Sequence, residues 1–412
     1  MNFTSARRDV GIVAVCMGVS YVGDFLAETA LTLNLQGHGA SSVAVAALLL
    51  ASMVPIVALA PVAGRIADRY SSRTILILVG AAQVTICVAL AYSSATWLVI
   101  ALMAVLAAGV AVTGPTLQAL VPQMVGADRL PRAQATIQTV RGLGPLAGPA
   151  LAGVLVGTYG PRLPLLVDAA SFGAIVAAGL LLATVRRGGA LRADPATGRV
   201  RGGWSLIRQD RLLFGVMLLV LAGIAAVTCD NVGEVYLIRQ TLHSTATMYG
   251  ALGAVWSAAA LAGAWLLGRN AHSDRRLVHV LVAALAIIAL VMLGFAAAPS
   301  VPWLVPIYVV GGVANGAVNF VTGLLLARRV DPDARGRVGA TISATANAGT
   351  ILGFATGGLA LTALSPRPMF AASGILALVV IATLTPLVLR AAHGSHVTDE
   401  DHHPAEHAPA GA

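Results

Sequence analysis

Lysine is absent from this sequence, and all 26 of its basic residues are arginine. A Walker A loop binds nucleotide phosphates through a lysine, and a Schiff-base enzyme reacts through a lysine amine. The sequence therefore excludes both kinds of chemistry, including ATP hydrolysis by this chain. No nucleophile–base–acid set is visible either, so we expect no enzyme and no cofactor. The three cysteines lie in separate apolar segments without metal-ligand spacing, and we expect small buried side chains and no metal site at Cys16, Cys87 and Cys229.

Charged residues are also scarce. They make up 10% of the chain, against about 25% in soluble domains, whereas 58% of the residues are hydrophobic and the mean hydropathy is +0.84. The first apolar stretch, after Arg7 and Arg8, continues past Leu35 and is too long for the core of a signal peptide. The composition predicts an all-α integral membrane protein. The arginines do not form one patch, so we expect a lipid bilayer and no nucleic acid as partner.

Apolar runs of about 20 residues mark membrane-spanning helices, and this chain has twelve. They lie near residues 10–35, 42–63, 74–93, 97–121, 133–156, 164–185, 212–236, 248–267, 277–297, 302–326, 338–363 and 369–389. The segments on one side of these spans, including both chain ends, hold 22 arginines, and the loops on the other side hold three: Arg162, Arg239 and Arg367. Basic residues mark the cytoplasmic side. We therefore predict a multi-pass protein of a bacterial inner (plasma) membrane with both termini in the cytoplasm.

An internal repeat divides the chain into two six-helix halves. Ala135-Thr136-Ile137 and the glycines that follow it recur 205 residues later at Ala340-Thr341-Ile342, and Asp24 and Glu28 recur 206 residues later as Asp230 and Glu234. Matching helices of the two halves cross the membrane in the same direction. This indicates two parallel repeats that are related by an axis along the membrane normal. The predicted organisation is an N-terminal bundle (1–185), an Arg-rich cytoplasmic linker (186–211), a C-terminal bundle (212–390) and a His-rich tail (391–412). For the tail, disorder and metal sensing are the alternatives.

The loop after the second span reads Gly-Arg-Ile-Ala-Asp-Arg-Tyr-Ser-Ser-Arg over residues 64–73. It resembles the signature loop of the major facilitator superfamily, with Gly64, Asp68, Arg69 and Arg73 at the motif positions. The resemblance implies two six-helix bundles and a loop that latches them on the cytoplasmic side when the protein opens outward. In such a loop Gly64 permits close helix approach, and Asp68 accepts hydrogen bonds.

The fifth span resembles the antiporter motif of the same superfamily, at Gly144, Pro145, Gly148, Pro149 and Gly153. Its small residues are expected to bring the fifth and eighth spans together, and its prolines to bend the helix. Further stretches, such as Asp168-Ala-Ala-Ser-Phe172, resemble drug/proton antiporters that include macrolide efflux proteins and siderophore exporters. The resemblance implies export of small amphiphilic compounds by proton antiport with alternating access, in a monomer. A solute importer or facilitator, and a non-transporting membrane sensor or assembly protein, are the alternatives.

Ionisable side chains inside membrane spans are costly and are candidates for function. Asp24 and Glu28 share one helix face, and two like charges in a poorly solvated site favour retention of a proton on one of them. Arg141 of the fifth span is placed to reach Asp24, so we predict that protonation of Asp24 breaks an Asp24–Arg141 interaction. A static ion pair and a substrate contact are the alternatives at Asp24. Asp168 is expected to be structural.

Further polar residues are candidates for a substrate cavity near the midplane. We expect this cavity between the halves, lined by spans one, four, five, seven, ten and eleven. Its candidate polar residues are Asp230, Asn231, Glu234, Asn315 and Asn319, with Asp230 and Glu234 expected at its outer mouth, near the outer edge of the membrane. Wetted positions at the membrane surface for the acids, and hydrogen bonds between helices for the asparagines, are the alternatives. Trp256, Trp265 and Tyr236 are candidates for stacking on a substrate.

Overall fold

The computed structural model of the chain describes residues 3–125, 129–182, 203–269 and 273–394, and within these ranges it is helical with short loops and no strand. The helices are α1 (Phe3–Gly37), α2 (Ser42–Arg69), α3 (Ser72–Tyr92), α4 (Thr96–Met124), α5 (Leu130–Arg141), α6 (Leu143–Tyr159), α7 (Arg162–Leu181), α8 (Gly203–Gln209), α9 (Arg211–Val227), α10 (Asp230–Tyr236), α11 (Ala246–Gly268), α12 (Asp274–Ala297), α13 (Val301–Arg329), α14 (Pro332–Ala363) and α15 (Pro366–Gly394). A π-helical turn, Leu237–Thr241, extends α10.

Several helices begin at a side chain that accepts a backbone hydrogen bond. Ser41, Ser71, Thr245 and Ser273 accept the N–H of the residue three positions later, at the starts of α2, α3, α11 and α12. Asp210 caps α9 by accepting from the backbone of its first turn. The first N–H groups of a helix have no partner inside it, so these polar residues at the borders of the apolar runs set where the helices start.

Eleven of the helical segments in the described ranges are long and apolar enough to cross a membrane. The twelfth long helix, α14, has 32 residues and is rich in alanine, glycine and threonine, which makes it less apolar. The prediction of an all-α membrane protein with twelve helices in two six-helix halves is confirmed.

Two of the predicted spans are broken helices. The fifth consists of α5 and α6, which meet at Gly142. Pro145 lies just beyond the break; its ring conflicts with the carbonyl of Arg141, four residues earlier, and it offers no N–H. The seventh span consists of α9, α10 and the π-helical turn, with Thr228 and Cys229 between the two helices.

The predicted linker and tail lie largely outside the described residues. The last part of the 186–211 segment forms the helix α8, whose Ile207 is fully buried against Leu213, Val330 and Val338 of the C-terminal half. The start of the predicted tail, up to Gly394, continues α15. The histidine-rich remainder, residues 395–412, lies outside the described ranges.

The two halves, α1–α7 and α8–α15, pack together along α6 against α11 and α2 against α14. We call the end that holds both ends of the described chain the termini end, and the opposite one the far end. The Ser42 hydroxyl donates to the carbonyl of Gly358 at 2.8 Å, and the Tyr236 hydroxyl to that of Ala40 at 2.9 Å. These contacts between the halves lie at the far end.

Candidate functional site

A cavity of about 610 Å³ lies between the halves, on the termini side of those contacts. Its walls come from α1, α2, α6 and α9–α15. The predicted position at the interface is therefore observed, and spans one, five, seven, ten and eleven contribute as expected. The expectation for the fourth span is wrong, because none of the described residues of α4 lines the cavity, whereas residues of the second, eighth, ninth and twelfth spans do.

Three carboxylates line this cavity: Glu28 from the N-terminal half, and Asp230 and Glu234 from the C-terminal half. Each is only partly buried, although it lies within the protein, because it faces the cavity. The Tyr308 hydroxyl donates to Glu234, and the Asn231 amide donates to Asp230 at 2.7 Å. Tyr249 lies within electrostatic range of all three acids, so the repeat-related Glu28 and Glu234 converge on one site.

The acids of the seventh span line the cavity. The alternative position for them, at the membrane surface, is therefore not observed. The reason is the broken seventh span: beyond the break at Thr228 and Cys229, the chain continues through α10 and the π-helical turn as far as Thr241. Asp230 and Glu234 therefore lie well before the far end of the span.

Aromatic side chains surround the acids. Those that line the cavity are Phe25, Tyr249, Trp256, Phe295 and Tyr308. The Trp256 and Tyr308 rings meet edge to face at a centroid distance of 6.1 Å, and the Phe295 and Tyr308 rings lie 5.1 Å apart.

Of the three predicted stacking residues, only Trp256 lines the cavity. Trp265 is 62% exposed and lies under the Arg269 guanidinium, and Tyr236 joins the far-end contact with Ala40. Sequence reasoning missed Tyr249 and Tyr308, because no local pattern marks which face of α11 or α13 meets the acids.

The predicted asparagines are also on the cavity wall. Asn231, Asn315 and Asn319 line it, and Asn319 donates to Asn315 at 3.2 Å within α13. Their amide groups therefore add neutral hydrogen-bonding capacity beside the carboxylates, and the hydrogen bond of the α13 pair lies within one helix.

Asp24 is partly buried and is not among the described residues that line the cavity. Its neighbour Gly23 packs so closely that a Cβ there would lie 2.6 Å from the Ser171 hydroxyl and overlap the Asp168 carboxylate. Asp168 is fully buried and accepts hydrogen bonds from Ser171 at 3.0 Å and from the Cys87 thiol at 3.3 Å. Asp24 is within electrostatic range of Asp168 and of Glu28. The structure thus brings together two acids that lie 144 positions apart in the sequence.

Arg141 does not form an ion pair with Asp24 in this conformation. Its guanidinium lies 4.7 Å from the centroid of the Tyr21 ring and donates to Gln138 at 3.4 Å. Tyr21 precedes Asp24 by three residues on α1 and is within electrostatic range of both Arg141 and Asp24. Arg141 therefore lies near the predicted coupling acid, with the Tyr21 ring and the Gln138 side chain as its partners.

The residues of the predicted antiporter motif divide between two contacts. Gly144 and Gly148 pack against α1, where a Cβ would lie 2.8 Å from the Tyr21 carbonyl oxygen or overlap Phe25. Gly153 packs against α11, where a Cβ would lie 2.6 Å from the Ala246 carbonyl oxygen. Of the three glycines of the motif, Gly153 is therefore the one that meets the eighth span.

The two prolines of the motif, Pro145 and Pro149, line the cavity. The Pro145 carbonyl also accepts a 2.8 Å hydrogen bond from Ser257 of α11. The contact between the fifth and eighth spans therefore extends from the far end to the middle of the bundle.

The signature loop joins α2 and α3 at the termini end. Arg73 donates to the carbonyls of Gly179 and Leu182 at 3.1 and 2.8 Å, which ties α3 to the end of α7. Asp68 and Arg69 lie exposed in the last turn of α2. Outside its own helix, no atom of the described residues lies within 4 Å of the Cβ position at Gly64, so the close approach expected there is not observed among them in this conformation.

Comparison with known proteins gives this architecture a family. The sequence profile of the Major Facilitator Superfamily matches residues 13–269 and 231–410. An uncharacterized MFS-type transporter of Bacillus subtilis (strain 168), YfiS, is 23% identical over 356 residues, which cover 83% of this chain and 84% of that protein.

Solved structures share the fold at low sequence identity. A mutant of the nucleoside transporter NupG superposes with a TM-score of 0.71 at 14% identity, covering 93% of this chain and 99% of the other. A POT family transporter in complex with a thioalcohol-conjugated peptide gives a TM-score of 0.69 at 13% identity, covering 93% and 96%. The chain belongs to the Major Facilitator Superfamily and is a multi-pass membrane transporter of that fold.

Proposed function

We propose that this chain exports small amphiphilic compounds across a bacterial inner membrane by proton antiport, as a monomer with both termini in the cytoplasm. The observation that supports this most is the cavity between the two halves, which is closed at the far end and lined by acids from both halves. The 22 arginines of the termini side support its assignment to the cytoplasm. The structure then corresponds to the state that receives cargo from inside the cell.

Transport requires the far end to open while the termini end closes. The far-end contacts include closely packed small residues and single hydrogen bonds, such as Gly153 against Gly250 and Ser42 to Gly358. Apolar side chains of both halves also meet in one buried cluster, so opening of the far end must separate these side chains as well. The space around the Cβ position of Gly64 among the described residues leaves room for a closer helix approach there in the other state.

The proton is proposed to bind at Asp24 and Asp168, beside the cavity and not in it. Asp168 has a thiol and a hydroxyl as its named partners and no cation among them. Two carboxyls within electrostatic range of each other, one of them fully buried, disfavour a double negative charge, so one of them is expected to hold a proton. Release of that proton makes the pair doubly charged, which favours movement of Arg141 from Tyr21 towards Asp24. A proton moving down the membrane potential supplies about 2.3 kcal/mol per 100 mV.

The test is transport in proteoliposomes that enclose a pH-sensitive dye. When a panel of amphiphilic compounds is added under an imposed pH gradient, we expect some of them to move uphill in exchange for protons, and the Asp24→Asn variant to lose this exchange. Uphill movement driven by the gradient in the Asp24→Asn variant contradicts the coupling role of Asp24.

The same experiment separates the alternatives. Movement of compound in the same direction as protons, or downhill only, indicates an importer or facilitator. This alternative has support in the solved transporters named for nucleosides and peptides, which share the fold. Absence of any compound-induced proton flux indicates a non-transporting sensor or assembly protein.

A further inference from the structure

The charges that line the cavity are all of one sign. Glu28, Asp230 and Glu234 face it, and none of its described lining residues is an arginine or a histidine. This contrasts with the whole chain, which has a formal net charge of +9. The arginines are concentrated near the termini end, so the basic character of the protein does not reach its cargo site.

The three carboxylates are held on different halves. Glu28 belongs to α1, whereas Asp230 and Glu234 belong to α10. Tyr249 of α11 lies within electrostatic range of all three. A positive charge placed beside Tyr249 therefore interacts with both halves at once.

The rest of the wall is apolar or aromatic. The Trp256, Tyr308 and Phe295 rings pack as one cluster next to Glu234. Aromatic faces attract cations, and more strongly where water is excluded. Aliphatic side chains such as Val220, Ile224, Leu285 and Ile288 complete the opposite wall. A volume of about 610 Å³ is in the range of cavities for drug-sized ligands.

From these observations we infer that the cavity binds organic cations that carry aromatic or bulky apolar groups, and that both halves hold the cationic group through Glu28, Asp230 and Glu234. The inference rests on the proposed function in one respect, which is that this cavity is the cargo site. Such a cavity selects against anionic compounds, and so against acidic metal-chelating cargo of the siderophore kind. An anion in it would meet three carboxylates and no basic side chain among the described lining residues.

The test uses two probes of the same shape and opposite charge, tetraphenylphosphonium and tetraphenylborate. Binding to the purified full-length protein in detergent is measured by equilibrium dialysis, with protein-free detergent micelles as the blank for partitioning and the Glu28→Gln/Asp230→Asn/Glu234→Gln variant as the test of the carboxylates. We expect saturable binding of tetraphenylphosphonium and none of tetraphenylborate. Glu28→Gln and Glu234→Gln should each weaken cation binding about tenfold, because each removes one close opposite charge.

Two further variants control for misfolding and for charge in general. Glu28→Asp keeps the charge and should retain most of the binding. Asp331→Asn removes an exposed acid at the termini end, outside the cavity, and should leave binding unchanged. Equal binding of both probes, or undiminished cation binding by the triple variant, overturns the inference.

The outcome is independent of whether export is proton-driven. Cation binding that depends on the three carboxylates, without proton exchange in proteoliposomes, supports this inference and contradicts the proposed function. Proton-driven export of neutral compounds with no cation preference does the reverse.

Discussion

Asp168 shows how one residue type acquires different roles through its surroundings. Asp168 is fully buried between α7, α1 and α3, with a thiol and a hydroxyl as hydrogen-bond donors. Asp230 and Glu234 have an amide and a phenol as donors and face an open cavity. The first environment suits a proton, which needs little space, and the second suits a bulky cation.

The Asp168→Asn variant tests this division. Asparagine has nearly the same shape. Its carbonyl oxygen can accept one of the two hydrogen bonds, and its amide can donate to the other group, so we expect the variant to fold and to bind tetraphenylphosphonium as the wild type does. Because it cannot exchange a proton at this position, compound-driven proton flux in proteoliposomes should fall to the level of protein-free liposomes. Unchanged proton flux would show that Asp168 is only structural.

Arg73 is expected to contribute to the stability of the N-terminal half. It satisfies carbonyls at the end of α7, and such groups are costly to leave unpaired at a membrane border. Arg73→Ala should destabilise the fold by about 1–3 kcal/mol, seen as a lower thermal unfolding midpoint in detergent. Arg65→Ala is the matched control, because Arg65 donates only within its own helix, to Pro61. Equal midpoints for the two variants would contradict this role of Arg73.

At the scale of the elements, the contact between α6 and α11 determines how firmly the far end is closed. Gly250 is packed so tightly that a Cβ on it would overlap the Pro149 carbonyl oxygen, and Gly153 lies directly opposite. Such backbone contact depends on the absence of a side chain. The same glycines that join the halves therefore limit which residues this interface tolerates.

Gly250→Ala should open the far end. The added methyl separates α6 from α11 and shifts the population towards the state open at the far end. We expect increased labelling of a cysteine placed at Thr247 by a membrane-impermeant maleimide. Gly173→Ala on α7 is the control, because no atom lies within 4 Å of the Cβ position there. Equal labelling in both variants would contradict a gating role for the contact.

Sequence reasoning predicted the elements better than their mutual orientation. The apolar runs and the repeat predicted twelve helices, and the i, i+4 spacing put Asp24 and Glu28 on one face. The breaks at Gly142 and at Thr228–Cys229, and the turn of Asp24 towards Asp168, depend on which helices meet. Contacts between segments so far apart leave no periodic signal in a single sequence. For the same reason, the Gly144 and Gly148 contacts with α1 were assigned to the wrong neighbour.

At the scale of the whole molecule, the two halves meet at the far end and leave a cavity on the other side. A ligand changes the balance between two states only through a difference in its affinity for them. Because the acids belong to both halves, cargo in the cavity interacts differently with each arrangement of the halves. In our proposal, the proton held by Asp24 or Asp168 acts on the same balance from within one half.

We propose that the two ends of the molecule open alternately, and distances between paired spin labels measure this movement. One pair, at Tyr159 and Met248, spans the far end, and the other, at Arg132 and Arg269, spans the termini end, with all four positions exposed. The native cysteines are replaced, and distances are measured by electron–electron double resonance in acidic and alkaline buffer, with and without tetraphenylphosphonium. We predict that any change of buffer or of bound cation that increases the distance across the far end decreases the distance across the termini end. Distances that stay fixed, or that change in the same direction, would contradict the account.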